Sequence, residues 1–313
     1  MKTTHHDLII LGSGPAGLTA GLYAARARID HLLIEKGAAG GQILLTDWID
    51  NYPGFPDGLS GFELAEKMEA HARRFGLNTL TANVVSMDLP HSPKRLTLED
   101  GNELTCHALI LCTGAHPQRL DVPGEAEFTG KGVSYCATCD APFYRNMHVA
   151  VVGGGNTAVQ EASHLTKFAS RVTLIHRRDT LRAAKIVQEK AFANDKIDFI
   201  WNTQVAAIEG GKKGVERLLL KDKDGLETTL AVDGIFILIG VRPNNEMLPL
   251  QLLEAENGGF IPTDNETRTA VPGVFAAGDI RDKEVRQIVN AAGEGATALL
   301  AAEHFLNHLN PTN

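Results

Sequence analysis

Short apolar runs that end in glycine-rich turns set the rhythm of this chain. The first run, Leu8–Leu11, enters Gly12-x-Gly14-x-x-Gly17 and is followed by an alanine-rich stretch, Leu18 to Arg26, that predicts a helix. A second run, His31 to Ile34, predicts a strand ending at Glu35. Residues 61–75 space their apolar side chains as an amphipathic helix does. The strand–turn–helix order then recurs: residues 148–152 lead into Gly153-x-Gly155-x-x-Ala158, a helix is predicted from Ala158 to about Phe168, and the next strand covers Val172 to Ile175. Residues 205–241 alternate polar and apolar positions between glycine turns, as in a strand layer, and the 274–279 stretch predicts a buried strand ending in Gly278-Asp279.

Both turns have the chemistry of a phosphate cradle. In the first, Gly12 permits the tight turn, Gly14 lets the backbone approach a pyrophosphate, and Gly17 lets the helix pack on the strand; Ser13, Pro15 and Ala16 complete the loop. The helix N-terminus faces the phosphate charge. Glu35, eighteen residues beyond Gly17, stands near the spacing expected of a ribose hydroxyl acceptor. In the second unit, Gly153, Gly155, Asn156, Thr157 and Ala158 form the turn, but no acid ends the following strand. His176-Arg177-Arg178 and Arg182 stand there instead, and arginine suits a dianionic 2′-phosphate, so this site reads as one for NADPH. Asp179 leaves open a ribose hydroxyl contact that would suit NADH.

The two turns are not arranged as simple halves. The first lies at 12–17, and the Gly278-Asp279 strand end, far along the chain, resembles the second FAD signature of flavoprotein disulfide reductases; a domain carrying both must, on that resemblance, be interrupted by the other. Turn-rich segments at 114–117 and 242–245 mark the junctions. The expectation is an α/β chain of two Rossmann-like dinucleotide-binding domains: residues 1–116 with 246–313 form the first, and 117–245 are inserted into it.

Composition narrows the function classes. The chain has 313 residues, 43% hydrophobic and 22% charged, with a net charge of −8; this opposes nucleic acid as a partner. Met1 to Asp7 is polar, and no apolar run reaches the roughly 18 residues a membrane span requires. A cytoplasmic location follows, with no membrane partner. The four cysteines fall in two pairs. Cys106 and Cys112, six positions apart, would face one side of a strand and read as core. Cys136 and Cys139 have only two residues between them and are followed by Asp140; such a pair can be a structural disulfide, half of a zinc site, or a redox couple. Zinc commonly takes two close pairs, and Cys106 with Cys112 makes a poor second one, so no metal site is read.

At this point the chain resembles the bacterial-type, low-molecular-weight thioredoxin reductases among the flavoprotein disulfide reductases. The resemblance covers nearly all residues. It rests on the first turn, Gly40-Gly41-Gln42, Asn51-Tyr52-Pro53-Gly54, Cys112-Thr113-Gly114-Ala115, Cys136-Ala137-Thr138-Cys139-Asp140, the second turn, His176-Arg177-Arg178 with Arg182, Gly278-Asp279 and Arg286-Gln287. Their order is the specific feature, with the cysteine pair placed between the two dinucleotide turns. The resemblance implies FAD in the interrupted domain, NADPH in the insert, and a homodimer. Asp279 then accepts a hydrogen bond from the ribityl chain. Cys139 faces the flavin, Cys136 attacks the disulfide of thioredoxin, and Asp140 manages the thiol proton. Asp140 also suits a helix N-cap. The family often has two adjacent aromatics after that acid; here Pro142 takes one of those places before Phe143 and Tyr144, which bears on partner preference.

The nicotinamide and the cysteine pair of the insert must both reach one flavin, so rotation of the insert about its two connections is expected. Two other readings stand beside this one. A flavoprotein reductase could feed a peroxidase or another thiol carrier, although the extra N-terminal disulfide domain usual there is not expected with a first strand starting at Asp7. A non-catalytic dinucleotide sensor is opposed by the intact cysteine pair.

Overall fold

The computed structural model describes residues 3–46 and 48–309; Met1 and Lys2 of the polar lead-in lie outside them. The chain divides into two compact units, Met1–His116 with Arg242–Asn313, and Pro117–Val241.

The first unit is built on a seven-stranded sheet. Its parallel part runs Thr79–Thr81, His31–Glu35, Thr3–Leu11, Glu103–Leu111, with Val274–Ala276 also pairing the last of these. Lys94–Leu98 and Val84–Asp88 extend it antiparallel. Registers such as Leu11 with Ile34, Leu11 with Leu111, and Ala276 with Leu111 bring the C-terminal ends of four strands level. The first strand begins at Thr3, four residues before the expected start. Thr3 to His6 show no apolar alternation because this end reaches past its His31–Glu35 neighbour, yet they pair with residues 103–106.

Three long helices cover this sheet. Pro15–Ala27 starts with proline at its first turn, where a missing N–H costs nothing, so it begins before the expected Leu18. Gly61–Arg74 is opened by a capping box, Glu63 N donating to Ser60 Oγ at 3.1 Å and Ser60 N to Glu63 Oε2 at 3.4 Å. Ile288–Leu309 packs its small residues on the first helix so closely that a Cβ on Gly295 would stand 2.1 Å from Ala16 O.

Cys106 and Cys112 are both buried free thiols, as the core reading held, but they do not share one environment. Cys106 packs with Leu96, Leu98 and Leu104, whereas Cys112 packs with Ala16, Leu18 and Ile110. The reason is the strand between them. Near Cys106 it pairs Lys94–Leu98, near its C-terminal end it pairs Val274–Ala276, and Cys112 already lies past that end. Even spacing predicts one face only while the neighbours stay the same.

The second unit has a five-stranded parallel sheet, in the order Ile197–Ile200, Arg171–Ile175, His148–Val152, Gly234–Ile237, Val133–Ser134. The expected strand layer over 205–241 is two structures. Thr203–Gly211, Gly214–Asp222 and Glu227–Ala231 form a separate antiparallel sheet, while Gly234–Ile237 joins the parallel one. The alternation belongs to the first three. Gly234–Ile237 is buried at all four positions, as a central parallel strand must be.

Candidate functional site

The first glycine turn is held by contacts that only glycine allows. Gly12 has φ of +100°, and a Cβ there would lie 2.4 Å from Cys112 O; one on Gly17 would lie 1.8 Å from Gly12 O. Gly14 differs, because a Cβ would meet only Gly40 O at 4.0 Å, so its backbone borders open space. Pro15, Ala16 and Gly17 form the first helical turn, Ala16 buried. The Glu35 carboxylate reaches back to this loop. Oε2 accepts from Ser13 N at 2.9 Å and from Ser13 Oγ at 2.8 Å, and Oε1 accepts from Gly37 N at 3.1 Å. Gly40 N donates to Ser13 O at 2.9 Å, and Gly41 and Gln42 begin a short 3₁₀ turn beside Gly14.

The same edge of the sheet carries the other candidates of this unit. Thr113 and Gly114 follow the 103–111 strand, and Gly278-Asp279 follows the neighbouring 274–276 strand, whose continuation Ala277 N donates to Leu111 O at 2.9 Å. Asn51 Nδ2 donates to Gln287 Oε1 at 3.2 Å. Arg286 lies over the Phe260 ring, 4.3 Å from its centroid. Three buried polar atoms here have no hydrogen-bond partner among the described residues: Thr113 Oγ1, Arg286 Nε and Asp279 Oδ1, the last with Lys283 Nζ as an ion-pair partner at 3.5 Å. Such orphans are rare and costly in a folded protein. Burial raises the Asp279 pKa above the ordinary carboxylate value, against the pull of Lys283 and Arg286. A polar ligand lying along the strand ends would complete all three atoms, and the open flank of Gly14 admits its phosphates.

The sequence reading missed Glu294. From the small-residue helix it accepts from Gly278 N at 2.7 Å and pairs with Arg281 at 2.9 Å and Lys283 at 3.1 Å. Its signal was an acid amid Ala and Gly, where a purely steric role has no use for charge.

In the second unit, Gly153 has φ of +155° and a Cβ would lie 2.5 Å from Leu238 O; at Gly154 it would lie 2.3 Å from the His176 ring. Gly155 has nothing within 4 Å and caps the Asn156–Leu165 helix, repeating the open flank of Gly14. Asn156 Oδ1 accepts from Ala184 N at 2.7 Å, Thr157 is exposed, and Ala158 packs beneath Gly153. Arg182 N donates to Gly154 O at 2.7 Å, which ties the arginine loop to the turn. Arg177, Arg178 and Arg182 are exposed, and their guanidiniums have no ion pair among the described residues. His176 is buried, 6.4 Å from Trp201 between ring centres; desolvation lowers its pKa, and Arg178 and Arg182 push the same way.

Cys136 and Cys139 are joined by a disulfide with Cα atoms 5.3 Å apart, and Cys136 caps the one-turn helix Ala137–Asp140. Cys139 N donates to Cys136 Sγ at 3.2 Å. Ser134, which the sequence reading also missed, braces the loop. Its hydroxyl donates to Asp140 Oδ2 at 2.5 Å and accepts from Cys136 N at 3.1 Å. Asp140 is therefore hydrogen-bonded from the side and does not cap the following turn with its side chain. Ala137 and Ala141 are buried beneath the disulfide, whereas Pro142 and Phe143 are exposed. Tyr144 packs edge-on against Phe236, and burial first, then the Asp140 charge, pushes its pKa up to about 12. Thr138 Oγ1 lies 3.3 Å from the Glu161 carboxylate, so the disulfide turn rests on the helix that opens at Gly155.

Residues 6–295 match the family described as pyridine nucleotide-disulphide oxidoreductase. The thioredoxin reductase of Peptoclostridium litorale is 46% identical over 97% of this chain and 98% of its own. That of Treponema pallidum is 46% identical over 98% and 99%. The crystal structure of thioredoxin reductase from Streptococcus pyogenes superposes with a TM-score of 0.92 at 44% identity, covering 97% of this chain and 99% of that one.

Proposed function

The chain belongs to the pyridine nucleotide-disulphide oxidoreductases, and from that premise we propose that it is an NADPH-dependent oxidoreductase that reduces the disulfide of thioredoxin. The observation that carries the reading is the Cys136–Cys139 disulfide on a turn that rests against the helix opening at Gly155. The nearly full-length likeness to thioredoxin reductases supports the choice of substrate.

The first unit would hold FAD. Gly12, Ser13, Gly14 and the helix behind them take the pyrophosphate, and Glu35 the ribose hydroxyls. Thr113, Asp279 and Arg286 supply the buried polar atoms that lack a hydrogen-bond partner, Asp279 Oδ1 having only an ion pair with Lys283. Bound there, FAD supplies a relay that takes up a hydride and passes on an electron pair. The second unit would hold NADPH, with Gly155 open to the phosphates and Arg177, Arg178 and Arg182 free to pair a 2′-phosphate.

Cys139 is the sulfur that receives the electron pair, and Cys136 leaves as the thiol. The Cys136 thiolate attacks thioredoxin's disulfide, forming a mixed disulfide that Cys139 resolves. Asp140, oriented by Ser134 Oγ, moves the proton at the sulfur. The overall balance is one NADPH and one proton consumed per thioredoxin disulfide reduced to two thiols.

The proposal extends to a cytoplasmic homodimer. Among the described residues no helix is long and apolar enough to cross a membrane. Leu45, Phe62 and Leu300 leave exposed apolar surface on the first unit. One observation favours a second reading of the substrate. Exposed Pro142 and Phe143 present a single aromatic beside the disulfide, which favours another thiol carrier as the alternative to thioredoxin. The test is NADPH oxidation by the flavin-loaded protein with cognate thioredoxin, insulin as terminal acceptor, and NADH alongside. Turnover that requires thioredoxin and prefers NADPH supports the reading; turnover independent of any disulfide substrate overturns it.

A further inference from the structure

A second cluster of donor groups lies at the opposite end of the first unit's sheet from the glycine turn. Strands Thr3–Leu11 and Glu103–Leu111 pair in parallel, with His5 opposite Thr105 and Leu8 opposite Ala108. Alternation puts His5 and Asp7 on one face, and the register brings His107 beside them. One donor atom from each of His5, Asp7 and His107 lies within 4.8 Å of the others. The two imidazoles meet edge to face with centroids 4.8 Å apart.

What these groups do not do is as informative as their distances. No hydrogen bond or ion pair joins the three, although a carboxylate lies within 4.8 Å of a donor nitrogen of each imidazole. His107 Nδ1 is buried and has no hydrogen-bond partner among the described residues. His5 Nδ1 is 3.0 Å from Thr105 Oγ1; donating to it, the ring keeps its Nε2 lone pair for a ligand. That arrangement, an imidazole whose second nitrogen is fixed by an outer partner, is how metal-ligating histidines are oriented.

We propose that His5, Asp7 and His107 bind one divalent cation of the borderline class, Zn²⁺ being the representative. Two imidazole nitrogens and one carboxylate oxygen suit such an ion, with a water completing four-coordination. Bonds of about 2.0–2.1 Å place neighbouring donors about 3.4 Å apart, so the side chains draw in from their present spacing. The site clips the start of the first strand to the strand that carries Thr113 at its far end. It lies away from the glycine turn and from the strand ends, so it acts on stability and not on electron transfer.

The experiment uses the flavin-loaded protein with Cys136–Cys139 kept oxidised, stripped with chelator and titrated with Zn²⁺ by calorimetry and by thermal unfolding. The expected result is one Zn²⁺ per chain and a midpoint that rises with Zn²⁺. His107→Gln and Asp7→Asn should each weaken binding at least about tenfold. His304→Gln, which removes the exposed His304–His308 pair on the last helix, should leave it unchanged. Because Asp7 is only partly buried, Asp7→Asn keeps the test open if His107→Gln does not fold. No binding at millimolar Zn²⁺ overturns the proposal, as does binding that survives both His107→Gln and Asp7→Asn.

Discussion

Gly155→Ala separates a ligand-binding turn from a merely tight one. Gly155 has φ −87° and ψ 178°, a conformation open to any residue, and a Cβ there would meet no atom within 4 Å. The folded chain should therefore accept alanine with a stability change within about 0.5 kcal/mol. A bound pyrophosphate would not accept it, because the Cβ fills the space through which the backbone approaches the phosphates. Forcing a methyl into such a contact costs about 1–3 kcal/mol, or roughly a 5- to 150-fold rise in the KM for NADPH. The contrast is Gly153→Ala. Its φ is +155° and its Cβ would sit 2.5 Å from Leu238 O, so this variant should lose stability first, by about 2 kcal/mol or more. Differential scanning fluorimetry gives the first quantity, and flavin reduction at varied NADPH gives the second. A Gly155→Ala protein with native KM, or one that melts as early as Gly153→Ala, would refute the reasoning.

Cys136→Ser and Cys139→Ser should each abolish thioredoxin reduction while flavin stays bound, checked by insulin turnover and flavin absorbance. Substantial turnover in either would sink the redox role, and loss of flavin would point to a structural one. Arg177→Ala with Arg178→Ala should raise the KM for NADPH at least about tenfold and leave NADH use nearly unchanged, since charge-assisted bonds are worth roughly 1.5–3 kcal/mol each. Equal losses with both nucleotides would show that these arginines do not read the 2′-phosphate. Burial holds His176 below its ordinary pKa, so near and below about pH 6.5 the unfolded chain binds more protons than the native one. The stability present above that pH should fall as pH drops toward the native pKa. His176→Gln should flatten the melting-midpoint profile between about pH 7 and 5; an unchanged slope would contradict the assignment.

What the sequence could reveal depended on how local the cause was. Gly17 is dictated by Gly12 O and Gly153 in part by Ala158, both within one strand–turn–helix unit, and so their spacing carried the information; Gly12 meets Cys112 O and Gly153 also Leu238 O, at the ends of strands far along the chain. Gly14 and Gly155 follow the same spacing for the opposite reason, open space. The disulfide pair was legible because only one residue pair separates Cys136 from Cys139. Ser134 was not, because its value lies in a 2.5 Å contact to Asp140 that a one-turn helix creates. Glu294 and Gly278 are sixteen residues apart and meet only when the last helix docks. The split of Cys106 from Cys112 and the His5–Asp7–His107 cluster both arise from which strands become neighbours. Periodicity marks which side a residue faces, but not what waits there.

The measurement that tests the account most directly is a single-turnover titration. Flavin-loaded protein, with oxidised thioredoxin in excess, is given limiting NADPH, and thioredoxin thiols are counted by alkylation and mass spectrometry. The account predicts two new thioredoxin thiols per NADPH oxidised for the native chain, and none when Cys136 is serine. NADPH oxidised without thioredoxin thiols, or thiols formed equally by Cys136→Ser, would contradict it.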